Sequence, residues 1–203
     1  VTQSVKPAEI KLVATTVGPG SFTGLRVGVT TAKAFAYSVG AEVLGISTLE
    51  AVAHGIVGYR SAIAPAFCET KGDNQIHAIL DAQRNELFLA RFQLETAAPD
   101  TEPTSLRRLS SDQLVSTEEW LVSLAEGTIV AGMGLKRVEH RLPSGVIAIP
   151  SGQREIRASV VGQLAWRDYT AGRRDDRWKL APVYLRPSYA EEKALSARTT
   201  DAP

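Results

Sequence analysis

The densest group of residues able to do chemistry is the run VGPGSFTGLRVGVTTAKAFA, Val17 to Ala36. Gly18, Gly20, Ser21 and Thr23 stand where an apolar run gives way to a helical pattern. Glycines at such a junction permit positive φ and close approach of the backbone, and a helix N-terminus presents unpaired N–H groups to an anion. Two readings fit: a phosphate cradle, or a tight strand-to-helix turn. The pattern matches neither the phosphate loop that ends in Gly-Lys-Ser/Thr nor GxGxxG. In the same run Gly24, Gly28, Ala32 and Ala36 recur every four residues and form one ridge of small side chains on a helix. Such a ridge lets a second helix, or the chain's own sheet, approach closely. Two glycines inside a helix cost about 1 kcal/mol each relative to alanine, so some contact must offset them. Phe22, Leu25 and Val29 lie on an adjacent face and are expected to serve the core, which would leave the ridge to a partner.

Other chemistry is sparse. His54, His77 and His140 are the only histidines and lack HxxxH or HExxH spacing; structural or surface roles are expected for each. Cys68, the only cysteine, rules out an intrachain disulfide and fits a reducing compartment. Ser21 is not in a GxSxG elbow. Asp81 and Glu86 flank a tight polar link and read as paired carboxylates or as solvated turn residues. Arg173, Arg174, Arg177 and Lys179 form a basic run broken by Asp175 and Asp176, which reads as a solvated charged link ahead of the alternative, an RNA site.

These residues need elements to hold them. Lys11–Val17 reads as a buried strand, Ser21 as the cap of a helix from Phe22 to about Val39 closed by Gly40, and Glu42–Ser47 as a second strand. Ser47 or Thr48 begins another helix, with Glu50 in capping-box position. Strand–helix–strand–helix order implies parallel strands. A boundary is expected near residues 58–75. Beyond it, QIHAILDA and ELFLARFQL read as an antiparallel hairpin. An acidic, Pro-containing loop follows at 97–104. Thr117 caps a short helix, GTIVAGMG is a strand ending in a glycine turn, and Ser159 to about Ala171 is a helix with Val160, Val161, Leu164 and Ala165 as its apolar face.

The 203 residues carry 44% hydrophobic and 22% charged side chains, enough for a folded core. Net charge is +1, which gives no global reason for independent nucleic-acid binding. No stretch reaches the length of a membrane span, and the first ten residues contain no apolar signal core.

GPGSFTGLRVG followed by TAKAFA and GISTLEAVA resembles the signature of the TsaB (YeaZ) family, in its order and spacing. LDAQRNELFLARF is similar to that family's second-domain hairpin, AGMG to its later glycine turn, and APVYLRPSYAEEK to its C-terminal motif. The resemblance covers about residues 7 to 193. It implies an α/β fold of the actin/Hsp70-like (ASKHA) class, with duplicated RNase-H-like domains: residues 1–60 as a remnant of the first, truncated at its N-terminus, and 61–203 as the second. The family's opening strand, Asp-Thr-Ser turn, two further strands and helix would precede Val1, leaving two of five strands in the first domain.

The resemblance further implies a cytoplasmic, non-catalytic partner of TsaD in forming N6-threonylcarbamoyladenosine in tRNAs that read ANN codons. TsaD would be held as a heterodimer through the Gly24, Gly28, Ala32 and Ala36 ridge. The ATPase TsaE would join the pair, a homodimer could use a similar surface, and tRNA would be met only indirectly. No metal or tightly held cofactor is implied, only weak ATP or ADP contact at a partner interface, since the Ala82–Asn85 link supplies no glycine to embrace phosphate. Other activities of the same fold, a glycoprotease-like metallopeptidase or a small-molecule kinase, would need a histidine pair or two glycine-rich phosphate loops. A self-associating remnant without a tRNA role is a third reading.

Overall fold

The computed structural model describes residues 5–57, 75–96 and 103–186. Cys68, the polar run 69–74, most of the 97–104 loop and the tail beyond Arg186 lie outside them.

Two sheets organise the chain. In the smaller, β1 (Leu12–Gly18) pairs in parallel with β2 (Glu42–Ser47). Between them runs α1 (Phe22–Val39). Ser21 starts α1 as its side-chain oxygen accepts the Gly24 N–H. Gly40 ends it in the left-handed region, φ 71°, its N–H reaching the carbonyls of Ala36 and Tyr37. β1 was expected to be buried. Instead Leu12 to Val17 are only half-buried, because among the described residues β1 has one strand partner and an unpaired second edge.

The larger sheet runs β5–β4–β3–β7–β8, with β6 also pairing β4. β3 (Gln75–Asp81) and β4 (Glu86–Thr96) form the expected antiparallel hairpin, Ala78 opposite Ala90. β5 (Pro103–Arg108) and β6 (Gln113–Ser116) pair antiparallel to β4, whereas β7 (Ile129–Ala131) and β8 (Ile147–Ala148) continue in parallel from β3. Ile76, Ala78, Ile79, Leu87, Leu89 and Phe92 are fully buried. A central strand covered on both faces reads as an apolar run, and each large side chain so buried contributes roughly 1.5–3 kcal/mol.

The helices exchange partners between the sheets. α2 (Thr48–Val57) follows β2 directly, yet its Leu49, Val52, Ala53 and Ile56 join the larger sheet's core. Conversely α5 (Ala158–Thr170), far along the chain, packs Val161, Leu164 and Ala165 against Leu44 and Ile46 of the smaller sheet. A cut at residue 60 therefore does not separate two cores. The short α3 (Thr117–Val122) and α4 (Leu135–Val138) close the larger core around Trp120, Leu135 and Val138. Thr117, expected as a cap, is the first residue of α3; Ser116 occupies the cap position, and the Thr117 hydroxyl is buried without a hydrogen-bond partner. Among the described residues no helix is long and apolar enough to cross a membrane.

Candidate functional site

Gly18 ends β1 at φ 126°, a conformation that L side chains rarely adopt. Space forbids a side chain as well: a Cβ there would stand 2.5 Å from the Val183 carbonyl oxygen. The Val183 N–H donates to the Val17 carbonyl at 2.7 Å. The loop backbone is therefore closed over at Gly18 by the chain's own later segment. Ser21 spends its hydroxyl on capping α1. Gly20, Ser21 and Thr23 are exposed. The four residues of the expected phosphate loop thus stand together, with one covered and one already engaged in the helix cap.

α1 presents four different faces. Leu25, Val29, Ala32 and Ala36 are its buried residues. The small-residue ridge is consequently divided. Ala32 and Ala36 pack with Ala41 and Val43 against the chain's own sheet, so this half cannot meet a partner. Gly24 is exposed and Gly28 half-buried, with space for a Cβ 3.7 Å from the Thr15 hydroxyl. Phe22, expected in the core, is 41% exposed. Its ring lies 4.8 Å from that of Tyr184, with the Arg26 guanidinium 4.0 Å above it.

Along that flank, residues 173–186 form a strap. Lys33 Nζ donates to the carbonyls of Trp178 and Leu180, at 3.3 and 2.8 Å. Arg26 Nε donates to the Tyr184 hydroxyl at 3.1 Å. Arg26 and Lys33 are the only charged residues of α1, and both are turned to the strap. The remaining face, Thr23, Val27, Thr30, Thr31, Ala34 and Ser38, is exposed and carries no charge. An 18-residue helix with an uncharged solvent face is unusual, since such faces ordinarily hold charged or strongly polar side chains.

The hairpin turn does not hold a carboxylate pair. Asp81 accepts the Gln83 N–H at 2.7 Å and Arg137 Nη1 at 3.0 Å. Glu86 instead pairs with Arg186, which also donates to the Ala82 carbonyl. Each acid has its own arginine. Gln83, Arg84 and Asn85 are left-handed in succession, φ 62°, 50° and 61°; of the three only Asn85 is of a type that favours this region.

The histidines stand apart from one another, with His140 exposed. His77 is buried and bonded to Trp120, while His54 stands beside Glu50 on α2. Among the described residues no three His, Cys, Asp or Glu side chains gather as a metal site. One polar cluster was missed. The Ser47 hydroxyl donates to Asp112 at 2.9 Å, and Arg108 reaches both, joining the smaller sheet to the β5–β6 connection. Burial pushes the Asp112 carboxyl up, against the pull of Arg108 and Ser47. Arg108 and Asp112 are four residues apart, but Ser47 lies 61 and 65 residues from them, and no local spacing ties it to the pair. The Ser47 oxygen also accepts the Glu50 N–H, but the Glu50 carboxylate turns to Arg167 rather than completing a capping box.

The family model described as "TsaD: tRNA N6-adenosine threonylcarbamoyltransferase" matches residues 2–121. The "tRNA threonylcarbamoyladenosine biosynthesis protein TsaB" of Bacillus subtilis is 28% identical over 120 residues, 59% of this chain but 44% of that protein. The identically named Haemophilus influenzae protein is 28% identical over 175 residues, 83% of this chain and 67% of that one. The chain thus spans less than half of one such relative and about two thirds of the other. A solved structure, "YeaZ from Pseudomonas aeruginosa", superposes with a TM-score of 0.66 at 23% identity, covering 89% of this chain and 76% of that one; it shares the α/β fold.

Proposed function

Because the chain belongs to the TsaB/YeaZ family, we propose that it acts in forming threonylcarbamoyladenosine in tRNA as the non-catalytic partner of a TsaD-type transferase. The observation that carries this reading is the free face of α1. Thr23, Val27, Thr30, Thr31, Ala34 and Ser38 are exposed without a charge among them, flanked by Gly24 and Gly28, where a neighbouring helix could approach closely. A scaffold needs such a face, and it needs no catalytic constellation of its own. The same face would serve a homodimer when the transferase is absent, and a TsaE-type ATPase would join the assembled pair. Nucleotide would be held weakly and only where the partner completes the Gly18–Thr23 loop. The two sheets are read as halves of an actin-like fold, and tRNAs decoding ANN codons as the substrates of the assembly.

The test is light scattering coupled to size-exclusion chromatography, on the chain alone and mixed with the TsaD-type protein of the same source. A heterodimer abolished by Val27→Asp supports the reading. A heterodimer that forms equally well with Val27→Asp removes α1 from the interface. No complex under any condition removes the scaffold role.

A further inference from the structure

We infer that the segment following α5 is a direct contact site for RNA, built from Tyr37, Tyr169, Arg174, Arg177 and Trp178. The inference rests on the functional reading above only for the identity of the RNA, a tRNA. The Arg174 guanidinium lies 3.6 Å above the Tyr169 ring and is itself exposed. Its Nη1 donates to the carbonyls of Tyr169 and Arg173, at 2.8 and 2.6 Å, which fixes the plane of the cation. Three residues on, Arg177 stands 5.8 Å over the Tyr37 ring and donates to the Ala41 carbonyl. Tyr37 in turn meets the Trp178 indole edge-on at 5.8 Å.

Tyr169 packs against the smaller sheet's core, but the fold does not account for the other two rings: Trp178 is 74% exposed and Tyr37 63%. The backbone beneath Trp178 is nevertheless held, its N–H donating to Asp176 and its carbonyl accepting from Lys33. A fixed backbone under a free indole is a stacking platform ordered in advance.

Charge points the same way. Residues 166–179 contain five Arg or Lys and three Asp. Arg167, Arg173 and Lys179 have carboxylate partners. Arg174 and Arg177 donate to carbonyls, and among the described residues neither forms an ion pair. Arg177 over Tyr37 beside the exposed Trp178 indole, and Arg174 over Tyr169 three residues before it, fit the chemistry of unpaired RNA, whose bases stack on aromatic and guanidinium planes while phosphates take up positive charge. The net charge of +1 hid this segregation.

The experiment titrates fluorescently labelled, unmodified tRNA against the full chain, alone and in complex with the TsaD-type partner, at low and moderate salt. Trp178→Ala should weaken tRNA binding by about 5- to 100-fold, the loss expected of one stacked base, with the thermal melt unchanged. Trp178→Phe should retain most of the affinity. Arg174→Gln with Arg177→Gln should lower the slope of log K against log salt by up to about 2. An unchanged tRNA affinity for Trp178→Ala, in a partner complex that still forms, overturns this inference and leaves the functional reading standing. Loss of the partner complex on Trp178→Ala, with tRNA affinity of the free chain intact, overturns it in favour of a protein interface. If no partner complex forms at all, the functional reading falls, and the titration of the free chain still decides this site.

Discussion

The indole N–H of Trp120 donates to Nδ1 of His77 across 3.2 Å, both side chains buried in the larger core. An Nδ1 that accepts a hydrogen bond cannot carry a proton. Burial first, and the nearby Arg91 second, lower the His77 pKa to about 4. An unfolded histidine titrates near 6.5. Below that pH the unfolded chain takes up a proton that the folded chain refuses, so stability is full above about pH 6.5 and is lost as pH falls towards 4. The loss attributable to His77 should reach about 3 kcal/mol. Urea denaturation at pH 7 and pH 4.5, with His77→Gln as the comparison, checks this: the variant should show a clearly shallower pH dependence.

Arg154 is 4% exposed and donates twice to the Glu139 carboxylate and once to the Ile149 carbonyl. Removing the acid strands a buried cation, whereas removing the cation does not. Arg154→Met should therefore cost about 1–2 kcal/mol, and Glu139→Ala should lower the melting temperature by more than Arg154→Met does. Thermal melts of the two variants rank them; the reverse order would mean that Glu139 is not what satisfies Arg154.

Gln83 sits at φ 62° in the β3–β4 turn with an exposed side chain. A β-branched residue is a conformational outlier there, so Gln83→Val should destabilise by about 1–2 kcal/mol. Gln83→Gly should be neutral or stabilising, because glycine reaches positive φ freely. Chemical denaturation of both variants reads the difference directly.

Gly28 offers an informative contrast. A Cβ there meets nothing closer than 3.7 Å, and φ is not positive. Gly28→Ala should therefore stabilise the chain by roughly 0.5–1 kcal/mol. If the glycine is kept for close approach of a partner helix, the same variant should bind the TsaD-type partner more weakly. Higher stability with unchanged partner affinity would place the interface elsewhere on α1.

How much of this was legible beforehand depended on the range of the interaction involved. α1 could be placed to the residue because its signals are local: Ser21 caps one end and Gly40 closes the other. The hairpin was legible from alternation and a polar link, but not its three left-handed residues, since Gln83 and Arg84 have no intrinsic preference for that region. The fate of the small ridge was not legible either. Periodicity puts Gly24, Gly28, Ala32 and Ala36 on one line but cannot say that Ala36 ends at zero exposure while Gly24 stays in solvent. Ser47 meets Arg108 and Asp112 across 61 and 65 positions, and the strap meets α1 across as many as 158; only the assembled fold brings them together.

The exchange of helices between the sheets also sets an order of events during synthesis. β1 and β2 leave the ribosome early, but the helix that covers Leu44 and Ile46 begins only at Ala158, more than a hundred residues later. At translation rates of roughly 5–20 residues per second, that is a wait of about 5–20 s. For that interval α1 can already cover the Val43 face of the β1–β2 pair, while the Leu44 and Ile46 face lacks its helix. The β1–β2 pair is thus made well before it is finished, and its Leu44–Ile46 face is open to chaperones and to aggregation until α5 arrives.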